Sequence, residues 1–188
     1  MVSGGRSAVF LDRDGVLNRA IVRNGRPYPP ASLSELEILP GVPQALARLQ
    51  KAGFLTLVVT NQPDVATGKQ RRDVVEAMHD RLMRTLPLDA IEVCYHVEAD
   101  HCECRKPKPG MLQQAAHELG IDLPQSFLVG DRWRDIAAGQ AVGSTCFFVA
   151  YGYDERQPQP PFVTVKSLPE AAALILSSTQ ALSSTQAG

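Results

Sequence analysis

The chain has 188 residues, enough for one domain with a sizeable core, and its 19 basic and 20 acidic side chains leave a formal net charge of −1. That balance leaves no electrostatic footprint for DNA, RNA or an anionic membrane surface, and no apolar run is long enough to span a bilayer. Residues 1–6, Met-Val-Ser-Gly-Gly-Arg, lack the hydrophobic core of a signal peptide, so the expectation is a cytoplasmic protein with no membrane or nucleic-acid partner.

In chain order, the first strand is expected over residues 8–11, running straight into Asp12-Arg13-Asp14-Gly15. Carboxylates spaced i, i+2 leave a strand on the same side and repel unless positive charge sits between them. The pair therefore suggests a divalent cation, with one Asp free to attack an electrophile. Residues 19–36, with Pro27, Pro29 and Pro30, form a loop too long for a simple connector; it follows the Asp pair and is expected to lie over the site. Val42, Leu46 and Leu49 recur at helical spacing, with Gly53 as the C-terminal cap. A second strand, 55–60, ends in Thr60-Asn61-Gln62, whose hydroxyl and amide suit phosphate oxygens. Val74, Val75, Met78 and Leu82 mark the next helix, and a strand follows over 91–96.

Arg105-Lys106-Pro107 precedes a helix that starts near Pro109, carries Met111, Leu112, Ala115 and Leu119, and stops at Gly120. The strand at 127–129 ends in Gly130-Asp131, with Asp135 four residues further on in a helix that includes Ile136 and Ala137. A strand over 146–150 makes Cys146 a core residue. The last helix starts at Ser167, with Ser167 and Glu170 as a capping box. Leu176-Ser-Ser-Thr-Gln repeats at Leu182, so residues 1–176 are expected to form the single domain and 177–188 a disordered low-complexity tail.

Strand and helix in alternation imply a parallel sheet with helices on both faces, and such sheets bind ligands at the carboxyl ends of their strands. Singly, a Gly-Asp or Thr-Asn after a strand is commonly a turn or a cap, and a Lys-Pro a surface loop. The order D-x-D-G, T-N, K-P, G-D-x-x-x-D, each at a strand end or just before a helix, is what points to one site.

Cys94, His96, Cys102 and Cys104 fall within eleven residues. Thiolates and an imidazole at these spacings suit Zn²⁺ in a closed tetrahedral site; the rival readings are a disulfide, which a cytoplasmic chain disfavours, or plain buried thiols. His101 competes as a ligand, at a spacing that fits less well. With four protein ligands and no open position the zinc is expected to be structural, pinning the loop before Arg105 and Lys106.

The four signatures resemble those of the haloacid dehalogenase-like (HAD) superfamily of phosphatases, over Asp12 through Asp135. The resemblance implies a HAD-like Rossmannoid α/β fold, with Asp12 as the nucleophile that forms an aspartyl-phosphate and Asp14 as general acid and base. It also implies Mg²⁺ held by the Asp12 carboxylate, the Asp14 backbone carbonyl and Asp131, phosphoryl oxygens positioned by Thr60 and Asn61, and Lys106 offsetting the charge of the phosphate. Asp135 is expected to support Lys106 or the metal's waters. Within the superfamily, C-x-H and C-x-C before R-K-P is similar to the branch of heptose 1,7-bisphosphate 7-phosphatases and histidinol-phosphate phosphatase domains. Asn18 in D-R-D-G-x-x-N and Lys106-Pro-Lys-Pro-Gly-Met-Leu112 favour the heptose group, and only five residues between His96 and Cys102 favours the other.

The heptose group's T-N-Q-S-G-x-A-R-G reads here as Thr60-Asn61-Gln62-Pro63-Asp64-Val65-Ala66-Thr67-Gly68, so Arg105 becomes the candidate for a distal phosphate, the alternative being a structural role in the zinc loop. Lys69, Arg71 and Arg72 could compensate for Thr67, though a solvated helix start is the simpler role. No gap holds a separate cap domain, so an open site is expected. The expected activity is a phosphoric monoester hydrolase of carbohydrate metabolism, acting as a monomer on a small phosphorylated sugar. The alternatives are histidinol phosphate or another small phosphomonoester as substrate, or a zinc-stabilised binding protein without catalysis.

Overall fold

Val9 and Leu11 pack to one side of the first strand, and Ala8 and Phe10 to the other, with all four buried. A central strand covered on both faces requires this continuous apolar run. The computed structural model describes residues 5–185, with side chains followed as far as Thr179 in the last helix. Residues 1–4 of the N-terminal segment and 186–188 of the expected tail lie outside the described residues.

The elements in chain order are β1 (Ala8–Leu11), β2 (Ile21–Arg23), β3 (Arg26–Tyr28), α1 (Val42–Lys51), β4 (Leu55–Asn61), α2 (Arg72–Thr85), β5 (Ala90–Cys94), α3 (Gly110–Leu119), β6 (Phe127–Gly130), α4 (Trp133–Ala141), β7 (Thr145–Val149), β8 (Val163–Val165) and α5 (Leu168–Thr185). Six strands form one sheet in the order β5-β4-β1-β6-β7-β8, every neighbouring pair parallel. Side chains from α1, α2 and α5 pack with Val9 and Leu11 on one face, and those from α3 and α4 with Phe10 and Leu57 on the other. This is the expected HAD-like α/β arrangement. No folded unit interrupts it: the insertion after β1 holds the β2–β3 hairpin and a 3₁₀ turn, and that after β5 a single 3₁₀ turn. Among the described residues no helix is long and apolar enough to cross a membrane.

Three local features differ from the expected elements. The long segment after Asp14 is an antiparallel hairpin rather than a loop, turning at Asn24 and Gly25 with φ of 49° and 73°. Asn-Gly is the pair that a two-residue turn with positive φ at both positions prefers. A sixth strand, β8, follows the proline-rich segment and extends the sheet edge. The expected domain boundary at 176 falls inside α5, which runs through Thr185. Ser177 donates its hydroxyl proton to the Ala173 carbonyl at 2.9 Å and Ser178 to that of Ile175 at 2.8 Å, so the serines are satisfied within the helix instead of breaking it. At its start, Ser167 accepts from the Glu170 N–H at 3.4 Å, while the Glu170 carboxylate reaches the Lys166 N–H at 2.7 Å.

Candidate active site and cysteine–histidine cluster

The chain leaves β1 for β4 on one side and returns to β6 on the other, which opens a crevice at the carboxyl ends of these central strands. A cavity of about 330 Å³ lies there, and Asp12, Asp14, Thr60, Asn61, Arg105, Lys106 and Asp131 all line it. Every residue expected to act on phosphate is thus in one place.

Lys106 stands at its floor. The side chain is 2% exposed, and Nζ lies 2.9 Å from Asp12 Oδ1, 2.5 Å from Asp135 Oδ1 and 2.6 Å from the Val59 carbonyl. Burial works against its charge, but Asp12 and Asp135 outweigh it and hold its pKa above the usual lysine value. Burial, with the charge of Asp135, pushes Asp12 up to about 6 against the pull of Lys106. Asp135 also accepts the Arg132 backbone N–H at 2.9 Å through Oδ2, so one carboxylate both caps α4 and anchors the lysine.

Asp131 is 1% exposed, and neither of its buried carboxylate oxygens makes a hydrogen bond of normal geometry, although the Tyr153 hydroxyl interacts with the carboxylate. Burial, then the charges of Asp12 and Asp135, raise its pKa well above the ordinary carboxylate range. Oxygens of Asp12, Asp131 and Asp135 all lie within 4.8 Å of one another. Three carboxylates against one ammonium leave the group short of positive charge, and buried oxygens short of well-placed donors mark a place for a cation. Two glycines make this approach possible. At Gly15 (φ 85°) a Cβ would lie 2.0 Å from Asp131 Oδ2, and at Gly130 one would lie 2.2 Å from Asp135 Cβ.

The Asp14 carboxylate lies outside that cluster. β1 ends at Leu11, so strand alternation does not set the direction of the two aspartates. Asp14 accepts from Asn18 Nδ2 at 2.9 Å, from Gln62 Nε2 at 3.0 Å, and from the Arg13 guanidinium at 3.0–3.2 Å. The positive charge that relieves the Asp pair is therefore supplied twice by the protein, by Lys106 on Asp12 and by Arg13 on Asp14. Arg13 is fully buried, and its Nη1 lies 3.1 Å from His79 Nε2. Burial, with the adjacent Arg13 charge, depresses His79 to about 4.

Thr60 is buried, and its Oγ1 accepts from Gln62 Nε2 at 3.0 Å. Asn61 is engaged differently from expectation: Nδ2 donates to the Lys106 carbonyl at 3.0 Å, and Oδ1 accepts the Lys106 N–H at 3.1 Å. Its amide holds the peptide that carries the lysine. Arg105 donates from Nη1 to the His96 carbonyl at 3.1 Å, and its buried Nε has no partner. Thr67, Lys69, Arg71 and Arg72 do not line the cavity; Arg71 pairs with Asp73, and Arg72 with Glu76 at 2.7 Å, as at a solvated helix start.

Several cavity residues were not singled out in the sequence. Arg26 and Tyr28 arrive on the hairpin, Arg132 just before α4 and Arg134 on it; Asp64, noted in the sequence only as a departure from the heptose group's motif, arrives on the loop after β4. The Asn24-Gly25 turn signal could have found the first two. Arg132 is paired with Glu155, and Arg134 with Glu98 at 3.1 Å while stacking on Trp133.

At the end of β5, Cys94, His96, Cys102 and Cys104 converge with one ligand atom each, all within 4.8 Å of one another. The thiols are free. Sulfur separations of 3.7 Å for Cys94–Cys102 and 3.5 Å for Cys102–Cys104 approach the edge of about 3.8 Å that Zn–S bonds of about 2.3 Å give in a tetrahedron, whereas Cys94 and Cys104 lie closer, at 3.0 Å. His96 Nδ1 lies 3.2 Å from Cys104 Sγ. His101 is outside the cluster, at a turn with φ of 49°. Cys146 is 2% exposed, and burial pushes its thiol up to about 12, as suits a core residue.

The HAD-hydrolase-like family profile matches residues 103–171. D-glycero-beta-D-manno-heptose-1,7-bisphosphate 7-phosphatase of Pseudomonas aeruginosa is 41% identical over 142 residues, covering 73% of this chain and 77% of that protein. The enzyme of the same name from Haemophilus ducreyi is 38% identical, covering 74% and 80%. The crystal structure of D,D-heptose 1,7-bisphosphate phosphatase from B. bronchiseptica, complexed with magnesium and phosphate, superposes with a TM-score of 0.79 at 30% identity, covering 92% of this chain and 99% of that one.

Proposed function

Because the chain belongs to the heptose-1,7-bisphosphate 7-phosphatase family of HAD-like hydrolases, we propose that it removes the 7-phosphate of D-glycero-D-manno-heptose 1,7-bisphosphate. The observation that carries the reading is the grouping of Asp12, Asp131 and Asp135 around Lys106, with neither Asp131 oxygen in a hydrogen bond of normal geometry. An Asp12 oxygen attacks phosphorus and forms an aspartyl-phosphate as the ester bond breaks. Asp14 gives the leaving sugar oxygen its proton, then takes one from the water that hydrolyses the intermediate. Thr60 and Lys106 meet the phosphoryl oxygens, and Asn61 acts by fixing the Lys106 peptide. Arg105, with its unpartnered Nε, is the candidate for the distal phosphate.

Mg²⁺ fits the Asp12 and Asp131 carboxylates with the Asp14 backbone carbonyl; when bound, it supplies charge that offsets repulsion between carboxylate and phosphate. Zn²⁺ fits Cys94, His96, Cys102 and Cys104 as a structural ion with no open position. Free thiols agree with a reducing cytoplasm. Asp64 supports a second reading: a carboxylate on the cavity wall suits a substrate with an amine, such as histidinol phosphate.

Asp12→Asn is expected to abolish turnover of every ester, and retained activity would sink the aspartyl-phosphate mechanism. Comparison of kcat/KM on the two heptose 1,7-bisphosphate anomers and histidinol phosphate decides the substrate. The heptose reading requires a preference of at least about tenfold for a bisphosphate.

A further inference from the structure

No residue of α2 lines the cavity, yet α2 reaches the site through one buried contact. His79 is 8% exposed and meets Arg13, which is fully buried. A guanidinium only donates, so His79 Nε2 accepts from Arg13 Nη1. The other face of the same guanidinium, Nε and Nη2, forks onto both oxygens of Asp14 at 3.0–3.2 Å. Asn18 and Gln62 donate one bond to each oxygen. Neighbouring side chains in a strand point apart, and Arg13 can fold onto Asp14 only because both lie in the turn beyond β1. The result is a file of contacts, α2 to His79 to Arg13 to Asp14, that ends on a carboxylate facing the cavity.

We infer that Arg13, seated on His79, is a positioning residue that aims the Asp14 carboxylate at the leaving-group oxygen. The inference rests on Asp14 being the acid–base of the proposed phosphatase reaction. Its signature is selectivity between leaving groups. p-Nitrophenolate departs without a proton at neutral pH, whereas phenolate gains much more from a well-placed acid. Misaligning Asp14 therefore costs phenyl phosphate more than p-nitrophenyl phosphate. A general loss of structure costs both alike.

His79→Leu keeps the volume and removes the acceptor. His79→Gln keeps an acceptor, and Arg13→Lys keeps the cation but cannot bridge Asp14 to His79. The ratio of kcat/KM for p-nitrophenyl to phenyl phosphate reads only the steps up to loss of the alcohol, not the later hydrolysis common to both esters. It is expected to rise at least about tenfold in H79L and in R13K, and to stay within about threefold of the parent in H79Q. Circular dichroism checks folding, and if H79L does not fold, R13K reads the same ratio. A parallel loss of kcat/KM on both esters, or a parental ratio in H79L and R13K, overturns the inference. Turnover of either ester by D12N would instead fail the phosphatase mechanism itself, so the two failures are separable.

Discussion

Two adjacent carboxylates with two different cations are the central feature at the scale of single residues. Lys106 bridges Asp12 and Asp135 in a buried triad, and removing one member would leave charge uncompensated. Arg13 does the corresponding work for Asp14 and depends on a neutral His79. That neutrality has a consequence for stability. The folded-state pKa of His79 is depressed from 6.5 to about 4 by burial and by Arg13. Below pH 6.5 the unfolded chain binds a proton that the folded chain refuses until about pH 4, so the contribution of His79 is whole above 6.5 and is lost as pH falls toward 4. At about 1.4 kcal/mol per unit, denaturant unfolding should show the parent losing about 2 kcal/mol more than H79Q between pH 7 and pH 5. Equal losses would mean that His79 does not titrate this way. The motif aspartates were legible in the sequence because their chemistry is local. The Arg13–His79 contact was not, since it spans 66 residues and Arg13 reads as a spacer inside D-x-D. A faint signal was present, in that His79 shares the apolar stripe of Val75 and Leu82 at helical spacing.

Among elements, the segment between β5 and α3 holds only a single 3₁₀ turn and carries the most chemistry. It holds three of the four cluster ligands, and Arg105 and Lys106 follow Cys104 directly. Arg105 leans on the His96 carbonyl and Lys106 is pinned through Asn61, so motion of the loop is motion of both cations. Cys104→Ser, or removal of zinc by a chelator, is expected to lower kcat by about tenfold and Tm by more than about 5 °C together. Metal analysis of the purified protein should find one zinc per chain; its absence, or loss of metal with Tm unchanged, contradicts the structural role. Five strands and five helices could be read from periodicity, because buried parallel strands are short apolar runs and the helices carry clear stripes and stops. The β2–β3 hairpin escaped notice because Pro27 and Pro29 argued for a loop, although Asn24-Gly25 argued for a turn. β8 is only three residues long, too brief for a period to show. α5 continues beyond the apparent end of its pattern, with its serine hydroxyls bonded within the helix.

For the whole molecule, a net charge of −1 gives a doubly phosphorylated sugar no reason to approach, so attraction must come from how charge is distributed. The cavity separates its signs by depth. Asp12, Asp131 and Asp135 are buried at the strand ends, whereas Arg26 on the hairpin is exposed and Arg105 and Arg134 are partly exposed. These three arginines come from the hairpin, the segment after β5 and the first turn of α4, and the fold alone brings them to one cavity. Arg134 is held by Glu98 at 3.1 Å, a pair open to solvent on the Glu98 side and weak enough for a phosphate to compete with. Exposed charges are screened by salt, with a Debye length of about 10 Å at 0.1 M shrinking to about 3 Å at 1 M, while buried ion pairs are much less affected. Raising KCl from about 0.05 to 0.5 M should therefore lower kcat/KM for the heptose bisphosphate by about three- to tenfold, with kcat changed less than about twofold. p-Nitrophenyl phosphate has no distal phosphate and should lose less. Equal salt slopes for the two esters would show that the arginines do not read the second phosphate and would turn the substrate assignment toward a monoester, the case in which Asp64 rather than Arg105 selects the ligand.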